Sequence, residues 1–431
     1  MGDSVMDPPV SLAQPLSGKV VVVVHPAWPS CGSHQVFVSQ VRAYRSLGAQ
    51  VISLALGDLP GRVEGSRASK AYFAATGDLD ADVRTFAGMP LGRILNGGFL
   101  GAVMPWLHGN YAKMRLEVAR LTALPEMLGS LPRIDLIHCN HFFSVLAANR
   151  LRGRRDCPVV LDTHDLQARQ SSLLNRASFR LSQAATYAGP RLPPLASYEE
   201  MLELELDAMR LADILVHLNN EEAAQFQKLV PDKRHALLYP AVSAKPVGPG
   251  GGDPIIVASR NHPNFLDLSW FLREILPRAP DVPVQIFGDI DREFFLGAPS
   301  LFKANAALFR GRVGANVLAE AYCTAAAVLL PTMAGHGISI KTIEALSCGA
   351  PLIATPLAFR GLSIDPGRLA NVTLAKDAED FASALCRVYA ERHLSPVDRA
   401  SCATRQIYEL HFSADAYRRS LWATVGELLR S

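Results

Sequence analysis

The chain has 431 residues, of which 49% are hydrophobic, 19% charged and 7% aromatic, and its formal net charge is +3. This composition excludes a disordered chain, and the length suits two domains better than a single core. The positive charge is small and the Lys and Arg residues are not clustered, so we expect no nucleic-acid partner.

Cysteine placement and the N-terminus bear on the compartment. The seven cysteines are dispersed and no two form a CxxC pair, which argues against a zinc ribbon and fits a reducing cytosol. The N-terminal residues lack the charged start and apolar core of a signal peptide, and there is no apolar run of about 18 residues that would span a membrane. We expect a cytoplasmic protein, and a peripheral contact with the inner face of the membrane stays open.

The N-terminal part predicts the beginning of a parallel sheet. Residues 1–17 are polar and contain Pro, which indicates a disordered tail. The continuous apolar run at 19–25 is typical of a strand buried on both faces, and a helix at 34–46 and a strand at 49–56 complete a strand–helix–strand unit. Residues 57–130 mix helical stretches with Gly and Pro breaks, so no order of elements is predicted for them.

Regular alternation returns after this region. Further strands are predicted at 134–138, 158–164, 212–218, 234–242, 253–259, 283–289, 308–313, 326–331 and 350–356, with helices between most of them. The Gly- and Pro-rich stretch 243–253 cannot sustain a helix or a central strand, so we expect a linker there between an N-terminal domain (18–242) and a C-terminal domain (254–405). The predicted fold is α/β, with two Rossmann-like domains whose parallel sheets face each other across a cleft. Ligands bind such sheets at the carboxyl ends of the strands.

The segment PTMAGHGISIKTIEALSCGAPLIATP (331–356) is the most informative part of the chain. A buried strand leads into a Gly-bearing loop, Ser339 is placed to cap the next helix, and Gly349 ends that helix. The free N–H groups and the dipole of the helix start suit a phosphate, and Lys341 in the first turn adds a positive charge. Glu344 lies one turn further, where its carboxylate can accept hydrogen bonds from ribose hydroxyls. The spacing alone is equally compatible with an ordinary capped helix whose Lys341 and Glu344 face solvent.

This segment resembles the donor-binding signature of retaining GT-B glycosyltransferases of family 4 (glycosyl transferases group 1), in which a Gly-rich loop opens a helix that reads EALxxGxPVIAT. The resemblance implies that Glu344 holds the ribose of a nucleotide-sugar donor. It also implies that Lys341 holds the diphosphate together with backbone groups of Gly337, Ile338, Ser339 and Ile340. The usual first Glu of the signature is His336 here, and the family contacts the donor sugar at that position, so His336 is expected to influence which sugar is accepted.

A second segment of the C-terminal half carries the same resemblance. Residues 255–277 are similar to the family's first strand and loop of this domain, which implies that Arg260 is the cationic partner of the leaving diphosphate. The Lys that usually accompanies this Arg is absent, and His262 or Lys341 is the candidate replacement. The alternative is an Arg260 that is simply solvated at a loop.

Two smaller matches in the C-terminal half add to the resemblance. The run LFRGRV (308–313) matches a strand whose edge faces the nucleotide base through backbone contacts, which places Arg312 and Val313 near the base. The last helix, within 406–431, is similar to the one that crosses back and packs on the N-terminal domain.

In the N-terminal half, VVLDTHDLQARQ resembles the family's VxTxHD element. The match implies that His164 and Asp165 lie in the cleft, with His164 beside the sugar. The alternative is a structural His–Asp pair that fixes a loop. The turn after the first strand carries Gly32 and Ser33, which we expect to line the cleft near the donor phosphate or the acceptor.

The implied reaction is retaining transfer of a sugar to a saccharide, a lipid-linked or another small acceptor, with His164, Asp165, Arg260 and Lys341 as catalytic residues. We expect no cofactor and no metal, because no DxD carboxylate pair follows a strand and the neighbouring side chains of HCNH (138–141) alternate across a strand. Two alternatives stay open. One is a UDP-sugar epimerase of the same architecture, whose first turn usually reads GTRPE, and the other is a nucleotide-sugar-binding protein without transferase activity.

Overall fold

The computed structural model describes residues 14–29, 32–96, 99–107, 110–153, 157–164, 166, 168, 198–335, 337–393 and 398–429. These residues form two α/β domains, each built around one sheet of parallel strands. The predicted fold class, two Rossmann-like domains with parallel sheets, is confirmed.

Seven strands form the N-terminal sheet: β1 (Val20–Pro26), β2 (Gln50–Leu56), β3 (Val83–Ala87), β4 (Leu136–Asn140), β5 (Val159–Asp162), β6 (Ile214–His217) and β7 (Arg234–Leu237). Their order is β3-β2-β1-β4-β5-β6-β7, and all neighbours are parallel. The central strand β1 is buried along almost its whole length, which explains its unbroken run of valines.

Six strands form the C-terminal sheet: β8 (Ile255–Val257), β9 (Gln285–Phe287), β10 (Phe309–Gly311), β11 (Val328–Leu330), β12 (Leu352–Ala354) and β13 (Val372–Leu374). Their order is β10-β9-β8-β11-β12-β13, again parallel throughout. Parallel neighbours need crossover connections, and α-helices supply most of them, whereas the connection from β12 to β13 contains only short 3₁₀ turns.

The α-helices follow in chain order: α1 (Gly32–Ser46), α2 (Arg67–Ala75), α3 (Met104–Leu107), α4 (Tyr111–Leu121), α5 (Glu126–Ser130), α6 (Val145–Arg152), α7 (Tyr198–Met209), α8 (Asn220–Leu229), α9 (His262–Trp270), α10 (Asp291–Gly297), α11 (Pro299–Asn305), α12 (Ala315–Thr324), α13 (Ile340–Cys348), α14 (Ala378–Glu391), α15 (Ala403–His411) and α16 (Ala414–Val425). Short 3₁₀ or π turns extend several of them, including a π turn that continues α9 over Phe271–Ile275. No helix within the described ranges is both long and apolar enough to cross a bilayer.

Two strands, β3 and β13, were not predicted from the sequence. Both lie at sheet edges and are short, and β13 is only partly buried along its length. The three residues of β13 are only partly buried, so its apolar pattern is weak, and in β3 (VRTFA) an arginine and a threonine interrupt the apolar pattern although three of its residues are buried.

The predicted tail covers more of the chain than the structure supports. Residues 1–13 lie outside the described residues, but residues 14–17 form a turn on the N-terminal domain. Leu16 is fully buried, and its N–H donates to the carbonyl of Leu47 at 2.9 Å. The prediction is therefore wrong for 14–17, because one apolar side chain fills the space at the end of α1.

The C-terminal segment crosses between the domains at a later residue than predicted. The boundary at 406 falls inside α15, which packs against α13 of the C-terminal domain. The next helix, α16, packs against α1, and its Tyr417, Leu421 and Val425 belong to the core of the N-terminal domain. The crossing thus lies between α15 and α16, and the last helix does brace the first domain.

Candidate functional site

Both sheets contain a point where the strand order reverses, and the loops around these points carry most of the predicted site. The reversal lies between β1 and β4 in the N-terminal sheet and between β8 and β11 in the C-terminal sheet. Ligands of open parallel sheets bind beyond the carboxyl ends of the strands at such points. Ser33 follows β1, His141 follows β4, Arg260 follows β8, and the segment 331–339 follows β11.

Helix α13 begins and ends as the sequence predicts. The Ser339 side chain caps it by accepting a hydrogen bond from the N–H of Thr342 at 3.4 Å, and Gly349 ends it in the left-handed conformation with φ 68°. Gly335 and Gly337 in the preceding loop have φ values of 121° and 64°, which other residues rarely adopt. The first N–H groups of α13, which have no partner within the helix, therefore lie next to a glycine-containing loop whose backbone a ligand can approach closely.

Lys341, in the first turn of α13, is held by α9. Its Nζ donates to Asn264 Oδ1 at 2.6 Å and lies 3.8 Å from Asp267 Oδ2. Burial lowers the pKa of Lys341, the Asp267 carboxylate opposes that effect, and the charge of Arg360 adds to it. The alternative of a solvated Lys341 therefore does not hold, because its ammonium group is oriented by two side chains.

Asp267 connects α9 to the glycine loop. Its Oδ1 accepts hydrogen bonds from the backbone N–H groups of Met333 at 2.8 Å and Ala334 at 3.1 Å. Burial raises the pKa of Asp267, while these N–H groups and Lys341 act in the opposite direction. One carboxylate thus fixes both the loop and the cation at the helix start.

Arg360, beyond the end of β12, brings a second cation to the same loop. A Cβ atom placed on Gly335 would lie 2.7 Å from Arg360 Nη2 and 3.7 Å from Pro263 Cβ. The loop therefore runs between the Arg360 guanidinium and the start of α9, and the φ of 121° at Gly335 is what favours glycine there. Arg360 also acts electrostatically on both Lys341 and Asp267.

Arg260 is paired with a carboxylate rather than solvated. Its backbone N–H donates to Asp289 Oδ1 at 2.8 Å, and its Nε donates to Oε1 of the buried Glu293 on α10. The guanidinium charge is therefore offset locally by Glu293. The contact of Arg260 with a diphosphate, which the resemblance implies, stays a prediction.

Glu344 is engaged by the linker and by α12. Its Oε1 lies 2.7 Å from Lys245 Nζ, and its Oε2 accepts a 3.4 Å hydrogen bond from the Tyr322 hydroxyl. The Lys245 backbone N–H donates to Ser347 Oγ at 2.9 Å, one turn further along α13. The carboxylate is thus fixed in direction, and the alternative of a solvated Glu344 does not hold.

The structure describes little of the surroundings of four predicted site residues. Arg312 is exposed just after β10, and Val313 packs against the core of the C-terminal domain. Asp165 and His336 lie outside the described residues. The roles that the resemblance implies for these four residues stay predictions.

Two histidines at the ends of β4 and β5 form the centre of the N-terminal side. The rings of His141 and His164 stack with centroids 4.0 Å apart and an interplanar angle of 12°. Within the described residues they are the only non-glycine residues with positive φ, at 65° and 57°. Backbone strain of this kind persists where the surroundings impose it, and it concentrates at functional sites. His141 Nε2 also contacts Ser33 Oγ at 3.3 Å, so the predicted turn residue joins this pair.

His164 is buried and neutral. Its Nε2 lies 2.9 Å from Asn140 Oδ1, and because an amide oxygen only accepts, Nε2 is assigned the hydrogen. Gln40 Nε2 donates to the same Asn140 oxygen at 3.0 Å and to Asp162 Oδ2 at 3.1 Å. Burial, followed by the charge of His138, lowers the pKa of His164 to about 3. At neutral pH the ring offers hydrogen bonds and no charge.

The N-terminal and C-terminal parts of the site meet at the starts of α1 and α13. A Cβ atom on Gly32 would lie 3.9 Å from Ile340 Cγ1, and Ile338 packs against core residues of both domains. The loop after β12 is also bound by the other domain, since the N–H of Asn220 donates to the Gly361 carbonyl at 3.1 Å. The structure therefore brings Gly32, Ile338 and Ile340 together at the interdomain boundary.

Several charged or polar side chains of the site were not predicted as site residues: Lys245, Asn264, Asp267, Arg360 and the stacking partner His141. Their local signals are weak. Asn264 and Asp267 are three apart on one helix, a spacing that also occurs on any capped helix, and a lone lysine in a Gly- and Pro-rich linker predicts no contact. Their partners are distant in sequence, so only the fold reveals them.

The chain has two Rossmann-like domains with parallel sheets. In the second domain, a helix start suited to an anion lies at the point where the strand order reverses. Together these features define a GT-B architecture. Two family models match the chain in the same order: "Glycosyl transferase 4-like domain" over residues 31–241 and "Glycosyl transferases group 1" over residues 253–391. Together they cover most of the sequence, and the chain belongs to the group 1 glycosyltransferases of GT-B fold.

Solved structures show the same fold at low sequence identity. A sucrose-phosphate synthase from Thermosynechococcus elongatus is 15% identical with a TM-score of 0.61, covering 96% of this chain and 99% of its own. The Anabaena protein HepE in complex with UDP is 13% identical with a TM-score of 0.57, covering 95% and 100%. A trehalose-phosphate synthase (UDP-forming) from Burkholderia vietnamiensis is 12% identical with a TM-score of 0.56, covering 96% and 99%. No curated protein sequence matches the chain.

Proposed function

We propose that the protein transfers a sugar from a nucleotide-sugar donor to an acceptor hydroxyl, with retention of anomeric configuration and without a metal ion. The observation that carries this proposal is the closeness of the starts of α1 and α13, where a Cβ atom placed on Gly32 would lie 3.9 Å from Ile340 Cγ1. This closeness supports a donor site between the start of α13, which carries Lys341 in its first turn, and the start of α1, where Ser33 contacts His141. A donor with its diphosphate at the helix start would have its sugar near His141 and His164. The Anabaena HepE structures with UDP and with UDP-glucose support a nucleotide sugar as the donor class.

The leaving diphosphate is the group that most needs stabilisation. The N–H groups from Gly337 to Ile340 and the ammonium of Lys341 face the developing negative charge, with Arg260 as a further partner. Preorganised donors of this kind stabilise a transition state without a cation. The sugar–oxygen bond to the diphosphate breaks, the acceptor oxygen bonds to the sugar on the same face, and the acceptor proton passes to a donor phosphate oxygen.

The pentose and the sugar have separate partners. Glu344 accepts hydrogen bonds from the ribose hydroxyls; a carboxylate has about four acceptor positions, so contacts to Lys245 and Tyr322 leave room for two more. His164, held neutral by burial, hydrogen-bonds the transferred sugar. We also propose the roles that the family resemblance implies for four further residues. Asp165 acts together with the adjacent His164, His336 contacts the sugar, and Arg312 and Val313 contact the base.

A donor screen tests this function. Thermal-shift measurements with UDP-, GDP-, TDP- and ADP-sugars are expected to give stabilisation by one nucleotide class, and an acceptor panel then identifies transfer. NMR of the product is expected to show the donor's anomeric configuration, and activity is expected to survive EDTA. An epimerised sugar formed without acceptor would identify an epimerase, whereas binding with neither transfer nor hydrolysis would identify a binding protein. Inversion, or loss of activity with EDTA, would contradict the mechanism.

Replacing Glu344 by glutamine is expected to weaken donor binding roughly 10- to 100-fold, because a hydrogen bond to a charged group contributes about 1.5–3 kcal/mol. Lys245→Met is expected to have a smaller effect, because Lys245 contacts Glu344 and would orient it. The double variant is expected to bind no more weakly than Glu344→Gln alone. Calorimetric titration with the accepted donor measures all three.

The exposed Glu320 on α12 supplies the matched control for this series. Glu320→Gln is expected to bind the donor like the wild-type chain. Unchanged affinity in Glu344→Gln would remove the pentose contact from the proposal.

The acceptor side of the proposal includes a peripheral membrane contact at 87–108. Three leucines there are exposed, Leu91 by 63%, Leu95 by 89% and Leu100 by 72%. An apolar surface of this kind is suited to a lipid-linked acceptor. Co-sedimentation with phosphatidylethanolamine–phosphatidylglycerol vesicles is expected, and replacement of the three leucines by serine is expected to abolish it. Equal sedimentation of both proteins would rule this contact out.

A further inference from the structure

A pair of buried side-chain amides adjoins the His164 ring. Gln40 on α1 and Asn140 at the end of β4 are both fully buried. Gln40 Nε2 donates to Asn140 Oδ1 at 3.0 Å, and Asn140 Nδ2 donates back to Gln40 Oε1 at 2.7 Å. Each amide is thus both donor and acceptor to the other, so the two form a cyclic pair.

Two anchors fix the direction of this amide pair. Asn140 Nδ2 also donates to the Val24 carbonyl of β1 at 3.3 Å, and Gln40 Nε2 also donates to the Asp162 carboxylate at 3.1 Å. A carbonyl oxygen and a carboxylate oxygen only accept hydrogen bonds. An amide turned by half a rotation would place its oxygen against one of these acceptors, so a single assignment of nitrogen and oxygen satisfies both amides.

The fixed amide pair determines the tautomer of His164. The atom of Asn140 that faces His164 Nε2, at 2.9 Å, is the acceptor Oδ1, so Nε2 carries the hydrogen. Burial lowers the pKa of His164 to about 3, so the ring is neutral at pH 7 and has a single N–H. Nδ1 therefore presents a lone pair, and no described residue forms a hydrogen bond with it.

Asp162 ties the backbone of His164 to the same pair. Its Oδ1 accepts a hydrogen bond from the His164 N–H at 3.2 Å, while its Oδ2 accepts one from Gln40. His164 is one of the two described non-glycine residues with positive φ, so this carboxylate supports an unusual backbone conformation. Asp162, Gln40 and Asn140 are all fully buried, so bulk water does not compete for these hydrogen bonds.

A lone pair at Nδ1 discriminates between sugar substituents. It accepts a hydrogen bond from a hydroxyl group, whereas a carboxylate or a carbonyl offers it no hydrogen. A site that pairs with a hydroxyl also rejects the analogue that lacks it, because the protein group is then left without a partner. His164 in this tautomer therefore favours a sugar with a free hydroxyl at the contacted carbon over the corresponding deoxy sugar or uronic acid.

We propose that Gln40 and Asn140 are positioning residues that hold His164 in the Nε2–H form, so that its Nδ1 accepts a hydrogen bond from a hydroxyl of the transferred sugar and selects donors that carry this hydroxyl. The sugar contact rests on the proposed function. The amide pair and the tautomer belong to the fold of the N-terminal domain and are present without a donor.

Nitrogen-15 NMR of the full chain, labelled at histidine, tests the tautomer at neutral pH. His164 of the wild-type chain is expected to carry its hydrogen on Nε2, and its signals are identified by their absence from His164→Asn. Gln40→Met keeps the side-chain length and removes the directional hydrogen bonds, so a mixture of both tautomers is expected. A wild-type His164 with its hydrogen on Nδ1 would overturn the proposal without the need for any variant.

Donor selectivity tests the consequence. Among monodeoxy analogues of the accepted donor, one is expected to have a kcat/KM roughly 10- to 100-fold below that of the parent, the cost of one buried group left unpaired. In Gln40→Met the ratio of the two kcat/KM values is expected to approach one. A purely structural role of Gln40 would lower the rate with both donors alike and leave their ratio unchanged.

Gln50→Met is the matched control for this series. Gln50 is exposed at the first residue of β2, at the opposite end of the sheet from His164, so the wild-type ratio is expected. Circular dichroism and Tm confirm that each variant is folded.

The outcomes separate this inference from the proposed function. A folded Gln40→Met protein that transfers sugar with the wild-type discrimination against the deoxy donor would overturn the role of the amide pair and leave the proposed function intact. If His164 has the Nε2–H form in the wild-type chain and loses it in Gln40→Met, but no nucleotide sugar binds, the positioning of His164 stands. The proposed function and the sugar contact would then both be rejected.

Discussion

Replacing Lys341 by methionine is expected to lower kcat for sugar transfer by about 10²- to 10³-fold, the usual cost of removing one preorganised donor from a developing negative charge. The ammonium of Lys341 is held 2.6 Å from Asn264 Oδ1 and 3.8 Å from Asp267 Oδ2, so its direction needs no reorganisation during the reaction. Methionine keeps the length of the side chain and removes the charge. Steady-state kinetics with the accepted donor measure the effect.

Lys303, an exposed lysine on α11, provides the control for this variant. Lys303→Met removes the same charge from the same domain and is expected to leave kcat unchanged. The fold of Lys341→Met is expected to persist, because Asp267 keeps its hydrogen bonds from Met333 and Ala334. A folded Lys341→Met protein with full activity would exclude Lys341 from the diphosphate site.

Acidification from pH 8 to 5.5 is expected to lower the free energy of unfolding by about 7 kcal/mol, through five histidines that are buried in the neutral form. Burial is the main cause in each case. It lowers the pKa of His25 to about 4, those of His138, His164 and His217 to about 3, and that of His141 well below the ordinary value of 6.5. Below pH 6.5 the unfolded chain binds protons that the folded chain does not, so stability falls as the pH falls. The loss continues until the pH reaches the folded-state values.

Urea denaturation at pH 8, 7, 6 and 5.5 measures this dependence, with a slope that approaches about five protons below pH 6. His217→Asn is expected to reduce the slope by about one proton, because His217 is fully buried. His393→Asn is the matched control, since His393 is exposed and its replacement is expected to leave the slope unchanged. A free energy of unfolding that stays constant from pH 8 to 5.5 would contradict this prediction, because it would show that protonation of these rings does not destabilise the fold.

The elements that the sequence predicts correctly are those with strong local patterns. The valines of β1 and the cap and stop of α13, Ser339 and Gly349, are signals carried by a few adjacent residues, and the structure has these elements where the sequence places them. The edge strands β3 and β13 are short and partly exposed, so the same patterns are weak there. Leu16 was assigned to a disordered tail because one apolar residue among polar ones predicts no packing.

The same holds for the site, where residues with a local sequence signal were predicted and residues with distant partners were not. The sequence placed Lys341 in the first turn of a capped helix and His164 at the end of a strand, both of which are local facts. It did not reveal that Lys245 reaches Glu344 from the linker, nor that His141 stacks on His164. Such contacts join segments separated by tens of residues, and their formation depends on which strands become neighbours.

Local sequence signals are enough to predict the α/β class, the division into two domains and the helix start suited to a phosphate, because hydrophobic period, turn residues and caps act over a few residues. The pairing of charges in the site depends on the folded arrangement. The tertiary structure paired Arg260 with Glu293 and brought Arg360 to the glycine loop, and it set Gly32 against Ile340 across the domains. Charges act through space rather than along the chain, so their partners are settled only when the sheets and their crossover helices are in place.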